Sequence, residues 1–196
     1  MNNVKYKDMT KLLSNEEYDN YKIEKFTIES GNIVALVQGI PTGEYVRLMN
    51  GSELLMSNTP MEKRTNLDFL IKANGDVLIG GLGIGLIVLP LLEKENVNSI
   101  TIVEKSSEII EMVGKQLNLS DKVKIVNDDI YTYEPEQKFD TIYIDIWPAV
   151  NSDIWKEEMK PLKQRYRKYL VSKSENPNRY LACWAEYQAK NNLRLM

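Results

Sequence analysis

Residues 77–86 read Val-Leu-Ile-Gly-Gly-Leu-Gly-Ile-Gly-Leu, and this stretch limits the fold more than any other. Three apolar residues run straight into four glycines within six positions, and Ile87, Val88, Leu89, Leu91 and Leu92 then resume the apolar run. The pattern predicts a buried strand, a tight glycine turn and a helix that starts at the turn. Glycine has no Cβ and tolerates positive φ, so a ligand can approach such a backbone closely. Free N–H groups at the start of the following helix favour an anionic group such as a carboxylate or phosphate. Everything after residue 76 reads as the rest of a nucleotide-type pocket built on this turn.

The chain has 196 residues, enough for one domain with a small appendage and for a core that needs no staples. Histidine is absent, which excludes Ser-His-Asp and Cys-His catalysis and every histidine metal site. Cys183 is the one cysteine, so an intrachain disulfide and a cysteine metal cluster are excluded too, in keeping with a reducing cytosol. No metal is expected, and acid–base work falls to carboxylates, Tyr, Lys or a cofactor. A net charge of −3 gives no global attraction to nucleic acid or anionic membrane, although residues 156–173 hold seven Lys or Arg. No apolar run approaches the roughly 20 residues of a membrane span. The polar stretch Met1–Asp19 is unlike a signal peptide, and a cytoplasmic protein is expected.

Near the start, a short helix is expected around Leu12–Tyr18. From Lys22 to Met56, β-type runs alternate with turn residues, among them Ile33–Gln38, and Asn50-Gly51 is a hairpin signal. A small antiparallel section is expected there. Thr59-Pro60-Met61-Glu62 is a capping-box sequence with Pro at the first helical position. It predicts a helix to about Lys72 that buries Leu67, Leu70 and Ile71. Beyond the glycines, a helix over roughly Ile84–Glu95 should be kinked by Pro90. Ser99–Val103, Lys122–Val126 and Thr141–Trp147 read as strands, with a helix from an N-cap at Ser106 to about Leu117. Strands alternating with helices imply an α/β fold, a parallel sheet with right-handed crossovers and helices on both faces. The expected division is an N-terminal extension and β section at 1–58, a ligand-binding core at 59–150 and a helical tail at 151–196. Within the tail, Tyr169-Leu170-Val171 or Tyr180-Leu181-Ala182 is a candidate fifth strand.

Four features fall at strand ends: the glycines, Glu104, the pair Asp128-Asp129, and Asp145. Parallel sheets bind ligands outside the carboxyl ends of their strands, so these residues share one rim. Glu104 is placed to accept from two ribose hydroxyls. Asp129, directly before the apolar Ile130, is placed to accept from an adenine amine. Asp145 faces the reacting end of the ligand. Each has a plainer reading: glycines that serve packing, a solvated strand end at Glu104, a turn cap at Asp128 or Asp129, a helix cap or ion pair at Asp145. Trp147 reads as core or pocket wall, and Glu62 as a helix cap rather than a ligand contact.

From about Ile33 to Pro148 the chain resembles class I S-adenosylmethionine-dependent methyltransferases, and within them the spermidine-synthase-like branch. The likeness rests on V-L-I-G-G-L-G-I-G, where Ile79-Gly80 stands in place of the acidic residue common in other branches. It rests also on I-V-E-K with Glu104, N-D-D-I with Asp129, F-D-T-I-Y-I-D ending at Asp145, and the β-rich section ahead of the core. The resemblance implies a Rossmann-like sheet with S-adenosyl-L-methionine as cofactor. The cofactor-binding set it implies is Gly80, Gly81, Gly83, Gly85, Glu104, Lys105, Asp128, Asp129, Ile130 and Asp145, with Asp145 also the candidate catalytic residue. Spermidine synthases carry a D-S-x-D-P type segment after the fourth strand, with two acids to handle the amine. Here Asp145-Ile146-Trp147-Pro148 has one, which disfavours aminopropyl transfer to putrescine. The chain after Pro148 is short for the last strands of the full fold. A sheet truncated there leaves an edge for the helical tail or a second subunit, so a homodimer is one expected assembly.

Methyl transfer to an open acceptor is the first functional expectation, with a small molecule favoured over nucleic acid and with Tyr143 and Trp147 shaping the acceptor side. Aminopropyl transfer from decarboxylated S-adenosylmethionine is the second, and cofactor binding without turnover the third. Dinucleotide binding is disfavoured, because G-x-G-x-x-G would need glycine where Leu82 or Leu86 stands.

Overall fold

Val77, Leu78 and Ile79 are fully buried because their strand, Gly75–Gly80, is flanked on both sides and covered on both faces. The computed structural model describes residues 4–195. In chain order the elements are α1 (Met9–Leu12), β1 (Glu16–Tyr18), β2 (Tyr21–Ile28), α2 (Ile33–Val37), β3 (Gly43–Asn50) and β4 (Glu53–Ser57). Then come α3 (Pro60–Thr65), α4 (Leu67–Lys72), β5 (Gly75–Gly80), α5 (Val88–Leu92), β6 (Val97–Glu104), α6 (Ser107–Leu117), β7 (Val123–Asn127) and β8 (Thr141–Ile144). The last part holds α7 (Ser152–Ile154), a π-turn (Trp155–Met159), α8 (Lys160–Tyr166), a 3₁₀ turn (Arg167–Tyr169), β9 (Tyr180–Cys183) and α9 (Glu186–Asn191).

Strands β1 to β4 form an antiparallel sheet in sequence order, and β5 to β9 form a parallel sheet ordered β7-β6-β5-β8-β9. This is a Rossmann-like sheet with its topological switch between β5 and β8, where ligand crevices open in such folds. Side chains alternate between its faces, as strand geometry requires. Val77, Ile79 and Tyr143 join a core with α4, α5, α6 and the antiparallel sheet. Leu78, Ile142 and Ile144 join a second core with Met159, Leu162 and Tyr166. Helix α6 starts where Ser106 Oγ accepts the Ile109 N–H at 3.1 Å, and it buries Ile109, Met112, Val113 and Leu117. Each such side chain contributes roughly 1.5–3 kcal/mol relative to exposure.

Several local expectations give way to competing chemistry. Residues 33–37 form helix α2 rather than a strand, because the Asn32 side chain caps it by accepting the Ala35 N–H at 3.0 Å. The Leu12–Tyr18 region divides into a short helix capped by Asp8 and strand β1. The helix expected over 59–72 breaks at Asn66, whose side chain turns to the Glu62 carbonyl and the Tyr143 hydroxyl. In consequence Phe69 and Leu70 are buried, while Leu67 and Ile71 are exposed. The helix after the glycines begins only at Val88, which puts Pro90 in its first turn, where no N–H is needed. Tyr180–Cys183 is the fifth strand, whereas Leu170 makes only an isolated bridge to Phe139.

Candidate functional site

Glu104 ends β6 and is 8% exposed. Its carboxylate accepts the Leu82 N–H at 2.9 Å and the Ser106 N–H at 2.9 Å. One side chain therefore ties the glycine turn to the start of α6. A carboxylate offers about four acceptor positions, so about half its capacity remains for a ligand. Gly81 has φ +97°, and a side chain there would collide with the Asp145 carbonyl oxygen. Here the glycine turn and the residue after β8 lie backbone against backbone. Gly85 serves packing instead, since a Cβ there would strike Leu117 of α6.

Asp129 receives the Lys105 ammonium at 2.8 Å and the Tyr131 N–H at 2.9 Å. The Lys105 hydrogen bond and then the Tyr131 N–H hold its carboxyl below the usual range. Ile130 is buried and packs close to Gly80 and Ile144, which carries the loop after β7 across the rim. The Asp128 carboxylate is taken up locally by the Asp129 N–H at 2.7 Å.

The Asp145 carboxyl is pushed up to about 7 by burial. Glu62 of α3 is 6% exposed and feels the Asp145 charge. Burial first and the Asp145 charge second raise Glu62 to about 8, against a Ser57 N–H that favours the charged form. Near neutral pH the two carboxyls together carry less than two negative charges. The capping box expected at Thr59 and Glu62 is not made: Thr59 Oγ1 lies 2.9 Å from Ser57 Oγ, and no side-chain cap bond forms.

Glu104, Asp129 and Asp145 border a cavity of about 280 Å³, near the lower end for ligand pockets, whose lining does not include Glu62. Its lining includes Gly81, Gly83, Glu104, Lys105, Asp129, Ile130 and Asp145, with Met56, Tyr131 and Trp147; Gly80, Gly85 and Asp128 lie outside it. Tyr143 is core: its ring stacks on Phe69 with centroids 3.9 Å apart, and its hydroxyl donates to Asn66. Met56 lines the cavity without a signal in the sequence, whereas Glu62, read there as a helix cap rather than a ligand contact, lies outside the lining. Met56 projects from β4 over the turn, where its Sδ accepts the Ile84 N–H at 3.1 Å. An anionic ligand group bound to that N–H has to displace the thioether.

No family model matches the chain, and no curated protein matches it. Solved structures align with part of the chain. A DhpI–SAH complex aligns at 22% identity over 55% of this chain and 50% of that one, with a TM-score of 0.42. The N-methyltransferase NodS from Bradyrhizobium japonicum aligns at 15% identity over 58% and 65%, with a TM-score of 0.44. The glycopeptide N-methyltransferase MtfA, complexed with S-adenosyl-L-methionine, aligns at 19% identity over 56% and 50%, with a TM-score of 0.43. The chain spans about half the length of the first of these. Its fold class rests on its own strand order. Among the described residues no helix is long and apolar enough to cross a membrane.

Proposed function

We propose that the protein is an S-adenosylmethionine-dependent methyltransferase acting on a small molecule. The observation that carries this reading is Glu104: a buried, backbone-anchored carboxylate with spare acceptor capacity, set beside the glycine turn on one rim. The residues fit the cofactor. Glu104 would hold the ribose hydroxyls, Asp129 and Ile130 the adenine, and Asp145 the amino group or the acceptor. The Ile84 N–H would take the carboxylate once Met56 has moved.

When bound, S-adenosylmethionine supplies a methyl group on a sulfonium, open to in-line displacement by a nucleophile. The protein's part is then positioning and charge, for which histidine is not required. Trp147 and Tyr131 wall the cavity. Asp145, raised to about 7, can hold or release a proton at its carboxyl near neutral pH.

Aminopropyl transfer is kept as a second reading on one observation. The segment Asp145-Ile146-Trp147-Pro148 lacks a second acid, and Glu62 on α3, outside the cavity lining, is the candidate for it, its carboxyl raised by burial first and by the Asp145 charge second. Ile79-Gly80 supports the spermidine-synthase-like branch, and the lone cysteine supports a cytoplasmic setting. The by-products separate the reactions: methyl transfer yields S-adenosylhomocysteine, and aminopropyl transfer yields 5′-methylthioadenosine. Incubation with methyl-labelled S-adenosylmethionine and small-molecule acceptor pools tests the proposal. Labelled product with S-adenosylhomocysteine supports it; binding with no label reaching any acceptor favours a non-catalytic role.

A further inference from the structure

The turn Trp155–Met159 is a π-turn, closed by the Lys160 N–H on the Trp155 carbonyl. Such widened turns are frequent at functional sites. Glu158 sits on it, and its Oε2 accepts two donors at once, the Trp147 indole N–H at 2.8 Å and the Tyr131 hydroxyl. Tyr131 follows β7 and Trp147 follows β8, strands separated in the sheet by β6 and β5. Both aromatic side chains line the cavity. Trp147 is 6% exposed, and a buried indole N–H, a donor only, needs such an acceptor. Burial and the Glu158 hydrogen bond raise the Tyr131 hydroxyl above its ordinary value, so Tyr131 stays a donor.

We infer that Glu158 is a positioning residue: its carboxylate ties the loop after β7 to the loop after β8 and fixes the two aromatic walls between which the ligand fits. The inference rests on the cofactor reading above for the identity of that ligand. The clamp itself does not depend on it. A charge-assisted bond to each donor holds both rings from one point, so loss of the carboxylate frees both walls together.

The test uses the full chain with Glu158→Ala, Glu158→Gln and Tyr131→Phe. In the unliganded protein, exchange of the Trp147 indole proton is followed by NMR, with the signal assigned from Trp147→Phe. Glu158→Ala is expected to speed this exchange at least about tenfold. Glu158→Gln keeps an acceptor oxygen and should restore most of the protection. Unchanged exchange in Glu158→Ala overturns the clamp whether or not any ligand binds. Calorimetry with S-adenosylhomocysteine is the second arm. Glu158→Ala should weaken binding about tenfold and Glu158→Gln about threefold or less. Faster exchange with unchanged affinity overturns the positioning role. Absence of binding to the wild type refutes the cofactor reading instead, and the exchange arm still decides the clamp. If Glu158→Ala does not fold, Tyr131→Phe, which removes one bond at a half-exposed site, decides: it should weaken binding, and unchanged affinity overturns the inference.

Discussion

The Glu104 carboxylate accepts the Leu82 backbone N–H at 2.9 Å, so the residue proposed to read the ribose also holds the glycine turn in shape. Stability and binding are coupled at this position. Glu104→Ala leaves the Leu82 and Ser106 N–H groups without their acceptor, at a cost of about 2–4 kcal/mol. Thermal unfolding should shift down, and calorimetry should show S-adenosylhomocysteine binding weakened by about tenfold or more. Unchanged affinity in a folded Glu104→Ala variant would remove the ribose assignment.

The glycines separate into two roles. Gly81→Ala forces a side chain onto the Asp145 carbonyl at a positive φ, and should cost roughly 1–3 kcal/mol while also disturbing the ligand. Gly85→Ala meets Leu117 in the core, away from the cavity. It should lower the melting temperature and leave the affinity of the folded fraction close to wild type. Equal losses of affinity in both variants would contradict the separation.

Met56 Sδ holds the Ile84 N–H that the proposed ligand carboxylate would take. A thioether is a weak acceptor, so Met56→Ala should tighten S-adenosylhomocysteine severalfold. The gain should be absent for 5′-methylthioadenosine, which lacks the carboxylate. Equal changes for both ligands, measured by calorimetry, would show that Met56 acts through packing alone.

Asp145 and Glu62 set a pH dependence. Their folded pKa values, about 7 and about 8, lie above the ordinary carboxylate range. A raised carboxyl binds its proton more tightly when folded, so the stability it contributes is present at low pH and lost as pH rises through the folded value. Thermal stability of the unliganded protein should therefore fall between about pH 5 and 8. Asp145→Asn or Glu62→Gln should flatten that slope, and an unaltered slope in both variants would contradict the raised pKa values of these acids. A ligand ammonium placed at Asp145 favours the charged form. Binding near pH 7 should then release a proton, seen as a buffer-dependent calorimetric enthalpy.

How far the site could be read from the chain follows from how each residue reaches it. The glycines, Glu104, Asp129 and Asp145 each end a parallel strand or follow one within a few residues, so the alternation of strands and helices already puts them on one rim. Gly80, Gly85 and Asp128 share those stretches, yet tight packing or a local hydrogen bond turns them to other tasks. Met56, Glu62 and Glu158 arrive from β4, α3 and a π-turn, whose approach is set by tertiary packing that no local pattern encodes. Glu62 shows the difficulty: T-x-x-E reads as a capping box, but Ser57 Oγ takes the Thr59 N–H and the Glu62 carboxyl accepts the Ser57 N–H instead. Residues 33–37 fail as a strand for a related reason, because a capping side chain at Asn32 outweighs the β preference of Ile33 and Val34.

The central claim is that the cavity between the glycine turn, Glu104 and Asp145 is built for S-adenosylmethionine. Calorimetric titration of the purified protein with S-adenosylmethionine, its decarboxylated form, S-adenosylhomocysteine and NAD tests it most directly. Saturable binding of S-adenosylmethionine and S-adenosylhomocysteine, lost in Glu104→Ala, and no binding of NAD is the predicted result. Binding of NAD alone, or of none of the four, would contradict the account.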